Sequence, residues 1–172
     1  MIKAVGAVLV LVSAYAIGSL FALRIKEHEN WLKEIKVTLF LLMGEVEYRQ
    51  MPLPEALELV AHRHKGRLEP FFLAVAEQLR KKEGQTMLEI WQQQAGLFLK
   101  ESPLNREQKE EFAQLGLYFQ ETDKDTRKST LEFYLKRLEE DIAGMRANGA
   151  DKAYLCRTLG MLGGAFLLIL VL

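Results

Sequence analysis

The sequence predicts an all-α protein: a six-helix antiparallel bundle flanked by one N-terminal and one C-terminal transmembrane helix. Three observations carry that prediction. Apolar residues recur at spacings of three and four through the middle of the chain, with no sustained period-two alternation. No Asp, Glu, Lys, Arg or His falls between Ala4 and Leu23, and none follows Arg157. Residues 24–157 therefore hold all 23 acids and 22 of the 23 bases, a solvated surface of mixed sign with one net negative charge. The division that follows is an N-terminal anchor over 1–23, a cytoplasmic helical domain over 24–152 and a C-terminal anchor over 153–172.

Ala4 to Leu23 is twenty uncharged residues, which as a helix span roughly 30 Å, the thickness of a bilayer core. Lipid offers no partner to an open backbone group, so such a segment must be helical. A cleaved signal peptide is the rival reading, since Ala14-Tyr15-Ala16 fits a small-x-small cleavage pattern. The apolar run continues past it to Leu23, which favours an anchor. Arg24, Lys26, Lys33 and Lys36 follow this segment, and Arg146, Lys152 and Arg157 precede or enter the last one, while only Lys3 lies outside. The positive-inside bias then places the middle of the chain in the cytoplasm.

The first helix of the domain carries Leu32, Ile35, Leu39, Leu42 and Val46 on one stripe. Val37, Phe40, Leu41 and Met43 thicken it to a nearly all-round apolar helix, which predicts a central place in the bundle. No Pro or Gly interrupts Phe21 to Met43, so it can continue directly from the anchor. Met51-Pro52-Leu53-Pro54 ends it, because Pro lacks an amide hydrogen and restricts the residue before it. Pro54 then suits the first turn of a short helix from Glu55 to Lys65, closed by Gly66. Leu68, Phe71, Phe72, Val75, Ala76 and Leu79 stripe the third helix, which stops near Gly84. Thr86 and Glu89 form a capping box for the fourth, with Leu88, Trp91, Ala95 and Phe98 inward. Pro103 and Asn105 mark the next break, before Phe112, Leu115 and Phe119. Asp123 and Asp125 read as caps of a long last helix with Leu131, Tyr134, Leu135, Leu138, Ile142 and Met145 on one face. Asn148-Gly149 either interrupts that helix or is tolerated at about 1 kcal/mol for the glycine. The terminal run from Thr158 to Leu172 is fifteen residues. It reaches a crossing length if Ala153 to Cys156 join it and Arg157 snorkels to the headgroups.

Chemistry is absent from the pattern. A zero net charge without a basic stripe argues against nucleic acid as a partner. The single Cys156 excludes an intramolecular disulfide and any zinc site of several thiolates; at a membrane boundary it is either an apolar filler or an acylation target. There is no phosphate-binding G-x-x-x-x-G-K-[ST] loop. His28-Glu29 begins a zinc-protease pattern, but Leu32 stands where the second histidine belongs. His62 and His64 are two apart and so lie on different helix faces. Asp123 and Asp125 lack the Gly and distal Glu of a calcium loop. Glu45 and Glu47 are also two apart, which suits solvated positions or partner contacts better than a catalytic pair. No catalytic residue, cofactor or metal ligand is predicted. Candidate contacts are of two kinds: a partner edge at Glu45, Glu47, Pro52 and Pro54, and small-residue faces for helix packing in the membrane at Ala14, Gly18 and Ala22 and at Gly160, Gly163 and Gly164.

Taken together and in order, several soft motifs resemble the stage III sporulation protein AB family along the whole chain. They are the N-terminal anchor, Gly44-Glu45-Val46-Glu47-Tyr48 before Pro52-Leu53-Pro54-Glu55-Ala56-Leu57, Leu115-Gly116, the Asp123 region, and Lys152, Tyr154, Arg157, Leu159 and Gly160 running into Gly163-Gly164. Between Gln120 and Arg127 the chain departs from the pattern, which would have a second Leu-Gly there. The resemblance implies likeness to the inner-membrane platform protein of type II secretion and type IV pilus machines, with a six-helix cytoplasmic domain. It further implies a place in the outer forespore membrane facing the mother cell, a channel between the two cells, and coupling to a companion cytoplasmic ATPase, stage III sporulation protein AA. Other channel membrane proteins, the lipid bilayer and further copies of the chain complete the implied partners. The alternative from the residues alone is a membrane-anchored helical sensory or signalling module that binds a small ligand.

Overall fold

The structure, a computed structural model, describes the backbone of residues 2–81, 84–121 and 123–171, and side-chain surroundings at 16, 19, 20, 22–81, 84–121, 123–147 and 158. Over these residues it has six α-helices and no strand: α1 (Ile2–Met43), α2 (Leu53–Arg63), α3 (Glu69–Lys81), α4 (Met87–Phe98), α5 (Arg106–Gln120) and α6 (Lys124–Val171), with a π-turn at Gly44–Tyr48 directly after α1. The backbone of α6 stays helical through Asn148 and Gly149, so that pair is tolerated. Two compact units emerge, residues 30–142 and residues 1–29 with 143–172.

Unit 30–142 is built around an aromatic seam. Trp91 on α4 is fully buried and meets Phe71 edge-on at 4.8 Å, Phe112 at 5.6 Å and Phe119 at 5.3 Å between ring centres. Its indole N–H donates to the Phe112 carbonyl at 2.8 Å, so the one polar atom of the seam has a partner. Gly116 makes the close approach possible: a Cβ there would lie 2.6 Å from Trp91 Cβ and 3.0 Å from Leu88 Cα. The apolar face of α4 is centred on Met87, Ile90, Trp91 and Ala95, whereas the expected Leu88 and Phe98 are half-buried at its flanks. Thr86 and Glu89 form the expected capping box. Asn105 and Gln108 form a second one on α5; the buried Gln108 also donates to Asp141 on α6 at 2.8 Å.

α1 lies at the edge of this core, not at its centre. Leu32, Ile35, Leu39 and Leu42 are buried, but Val37, Phe40 and Leu41 are 46%, 60% and 39% exposed. At 100° per residue, positions 37, 40 and 41 of α1 fall away from the buried stripe. Apolar composition all round the helix does not decide its burial; the number of neighbouring helices does. α1 and α6 run antiparallel, with Glu47 meeting Arg127 and Lys36 meeting Glu139 at 3.0 Å. The turn after α2 is closed by His64 as its cap, and Gly66 sits where any Cβ would strike the Glu34 carboxylate.

In the unit of residues 1–29 and 143–172, Arg146 pairs with Glu29 at 2.6 Å, and Leu20 and Leu23 are exposed. Among the described residues, no helix is long and apolar enough to cross a membrane. The backbone of both expected anchors is helical, but nearly all their side chains lie outside the described residues.

Candidate functional site

The residues singled out around positions 45–54 converge on one end of unit 30–142. After Met43 the backbone widens into the π-turn, with the Arg49 amide donating to the Gly44 carbonyl at 3.3 Å and the Met51 amide reaching back to the Glu45 carbonyl at 3.1 Å. Gln50, between them, sits at φ +53°. This left-handed conformation ends helices and is ordinarily a glycine's; a side chain there costs about 1–2 kcal/mol. Pro52 (φ −54°, ψ 138°) then leads into α2, accepting from the Ala56 amide at 3.0 Å.

The two carboxylates of the turn are engaged within the unit. Glu45 is buried and accepts from Arg49 and from Arg63 of α2, each at 3.1 Å. Glu47 takes both arms of the Arg127 fork, one at 3.2 Å and one from Nε. Their side chains are only 5% and 14% exposed. The hydrogen bond to Glu47 pushes the Arg127 pKa up, so this guanidinium is held charged. Arg127 also donates to the Glu121 carbonyl at 3.0 Å, and Lys128 stands over the Tyr48 ring at 5.4 Å. The expectation of solvated glutamates is thus corrected. Three arginines, Arg49 just after the π-turn, Arg63 of α2 and Arg127 of α6, form a collar round them. Of the three, only Arg127 is bidentate and largely dry, which fixes the geometry of its pair with Glu47 more tightly than a surface pair is fixed.

What the collar leaves outward is Tyr48, 68% exposed, and Pro52, also exposed, with Pro54 half-buried beside them. Next to it lies a notch of about 360 Å³ between the π-turn, the start of α2, the end of α5 and the start of α6. Asp123 caps α6 through the Thr126 amide at 3.0 Å, and the Thr126 hydrogen bonds hold its carboxyl below the usual aspartate range.

The other singled-out positions do not join this cluster. Ala22 is exposed; Ala14, Gly18, Gly160, Gly163 and Gly164 lie outside the residues whose side chains are described, as does Cys156. His62 is exposed and His64 half-buried. Among the described residues no three His, Cys, Asp or Glu side chains are grouped to hold a metal ion. The arginine collar and the Gln50 conformation were missed from the sequence. Glu45, Glu47 and the break at Pro52-Leu53-Pro54 pointed to this end of the molecule, but not to the arginines.

Fold and site define a helical module that uses its charges to brace one edge. The chain belongs to the stage III sporulation protein AB family, whose model matches residues 3–172. It is thus a member of a family of sporulation proteins. A solved structure titled stage III sporulation protein AB has the same fold, with a TM-score of 0.65 and 20% identity over 72% of this chain and 97% of that one. A search of the curated proteins found no match.

Proposed function

We propose that this chain is a non-catalytic membrane platform subunit of the sporulation channel, coupling a stage III sporulation protein AA-like cytoplasmic ATPase to membrane components between mother cell and forespore. In this reading residues 1–23 and 153–172 are the anchors, and the helical domain faces the mother-cell cytoplasm from the outer forespore membrane. The partner edge is Tyr48, Pro52 and Pro54, set by Glu45 and Glu47 from behind. The observation that carries the reading is the arginine collar. A contact that transmits force must not give way, and the bidentate, nearly dry Glu47–Arg127 pair holds the turn to α6 while Arg63 ties Glu45 to α2. Family membership supplies the setting.

The test is co-purification of the full-length protein, in membranes and in detergent, with the companion ATPase. Tyr48→Ala combined with Pro52→Ala is expected to lower capture at least tenfold while the melting temperature stays within a few degrees. Undiminished capture would count against this edge, and no capture by the unaltered protein would count against the platform role. A melting temperature that rises with a small molecule, by linkage of binding to folding, would favour the sensory alternative. Topology is tested by a single thiol: Glu101→Cys, at an exposed position, in a Cys156→Ser background. Protection from an impermeant reagent until lysis is expected; labelling of intact cells would contradict a cytoplasmic domain.

A further inference from the structure

The notch beside the collar has the features of a binding site rather than of a packing defect. Val46, Met51, Leu53 and Phe119 give it one apolar side, and polar residues form the rest. Two polar residues that line it, Gln50 and Lys124, are exposed. Gln50 lines it with its backbone at φ +53°, a conformation that glycine would adopt without strain. Strain kept in a side chain at a pocket points to a use for that side chain. Lys124, the first residue of α6, lines the same notch, is exposed, and makes no ion pair among the described residues. Of its acidic neighbours, Asp123 accepts from the Thr126 amide at 3.0 Å and Glu121 from the Asp123 amide at 3.3 Å, and none of Glu121, Asp123 and Asp125 lines the notch. Arg127, the other cation of the lining, is neutralised by Glu47. Among the described residues the notch therefore presents one ammonium without an ion pair, no lining carboxylate, the Gln50 residue, and a cavity of about 360 Å³.

We infer that this notch docks an extended segment of a protein partner in which a carboxylate side chain stands next to an aliphatic one. The aliphatic group fills the space between Met51, Leu53 and Phe119, the carboxylate pairs with Lys124, and the Gln50 amide bonds the segment's backbone. The occupant follows from charge complementarity: an apolar segment without an acid leaves Lys124 unmatched, and a basic one is repelled. This inference rests on the partner-subunit reading above and adds the chemistry of the recognised segment.

The probe is a fluorescein-labelled heptapeptide alternating leucine with glutamate, and its twin with glutamine in place of glutamate, titrated by anisotropy against the full chain in detergent at low salt. The expected result is saturable binding of the glutamate peptide, at least tenfold tighter than its twin and weakened by added salt. Lys124→Glu should lower that affinity at least tenfold with no fall in melting temperature, since an acid suits the first turn of α6. Gln50→Gly should raise the melting temperature by a few degrees, through relief of the left-handed strain, yet lower affinity several-fold. Equal binding of the two peptides, or wild-type affinity in either variant, would overturn the inference. No ATPase is present in this assay, so its failure leaves the platform reading standing, and failed co-purification leaves the notch standing.

Discussion

The aromatic seam between α4 and α5 and the arginine collar at the head of α6 hold the same bundle by opposite means. In the seam, Trp91 is buried among Phe71, Phe112 and Phe119, with one hydrogen bond from its indole. In the collar, Glu45 and Glu47 are as dry as many core residues, but arginines surround them. Apolar burial contributes stability that grows with area and asks little of direction. A buried ion pair contributes little net stability, since desolvation offsets most of the attraction, but it penalises any other arrangement. The difference teaches that the seam makes the domain fold, while the collar determines where the Tyr48–Pro52 edge stands.

Breaking the seam should have the largest effect. Trp91→Ala is expected to cost about 3–5 kcal/mol, read as the shift in chemical unfolding of the full chain in detergent. Breaking the collar comes next. Arg127→Ala leaves the Glu47 carboxylate, 5% exposed, without its partner, at about 3 kcal/mol by the same measurement. Gly116→Ala should cost about 2 kcal/mol, because the added methyl would sit 2.6 Å from Trp91 Cβ. That loss would come despite the better helix propensity of alanine, so a stabilised variant would mean that the seam can open at this point. Thr86→Ala removes one half of a capping box and should cost about 1 kcal/mol.

The smallest effect is one of pH. The Thr86 amide holds the Glu89 carboxyl below its ordinary value of 4.5. The folded form then binds its proton less readily than the unfolded form. Stability from this group is present above pH 4.5 and is lost as pH falls through the lower folded value. Glu89→Gln should flatten that part of the acid limb in unfolding curves taken from pH 6 to pH 3. Glu111 has the opposite sign: burial pushes its pKa up, so what it contributes is present below 4.5 and lost as pH rises through the higher folded value.

These two regions also differ in how far they could be read from the chain. Phe71, Phe72, Trp91, Phe112 and Phe119 fall at helical spacing between clear breaks, and all are buried as expected. Periodicity reports burial faithfully where apolar residues are confined to one face. It misled on α1, whose apolar residues run all round: Phe40 is exposed because no neighbouring helix covers that face. The collar was not legible. Its carboxylates meet arginines 18 and 80 positions away, and a charged side chain looks the same in sequence whether water or a guanidinium surrounds it. The left-handed Gln50 was hidden for a related reason, since the residue that usually marks such a place is glycine.

The claim that the collar positions a docking edge, rather than merely stabilising the fold, is tested most directly by replacing the Glu47–Arg127 pair as a unit. In the full-length protein, Glu47→Leu combined with Arg127→Met exchanges the ion pair for apolar groups of similar bulk, an exchange that is often neutral or stabilising. We predict a melting temperature within a few degrees of the unaltered protein and capture of the companion ATPase reduced at least tenfold. A variant that melts normally and captures the ATPase as well as before would contradict that claim.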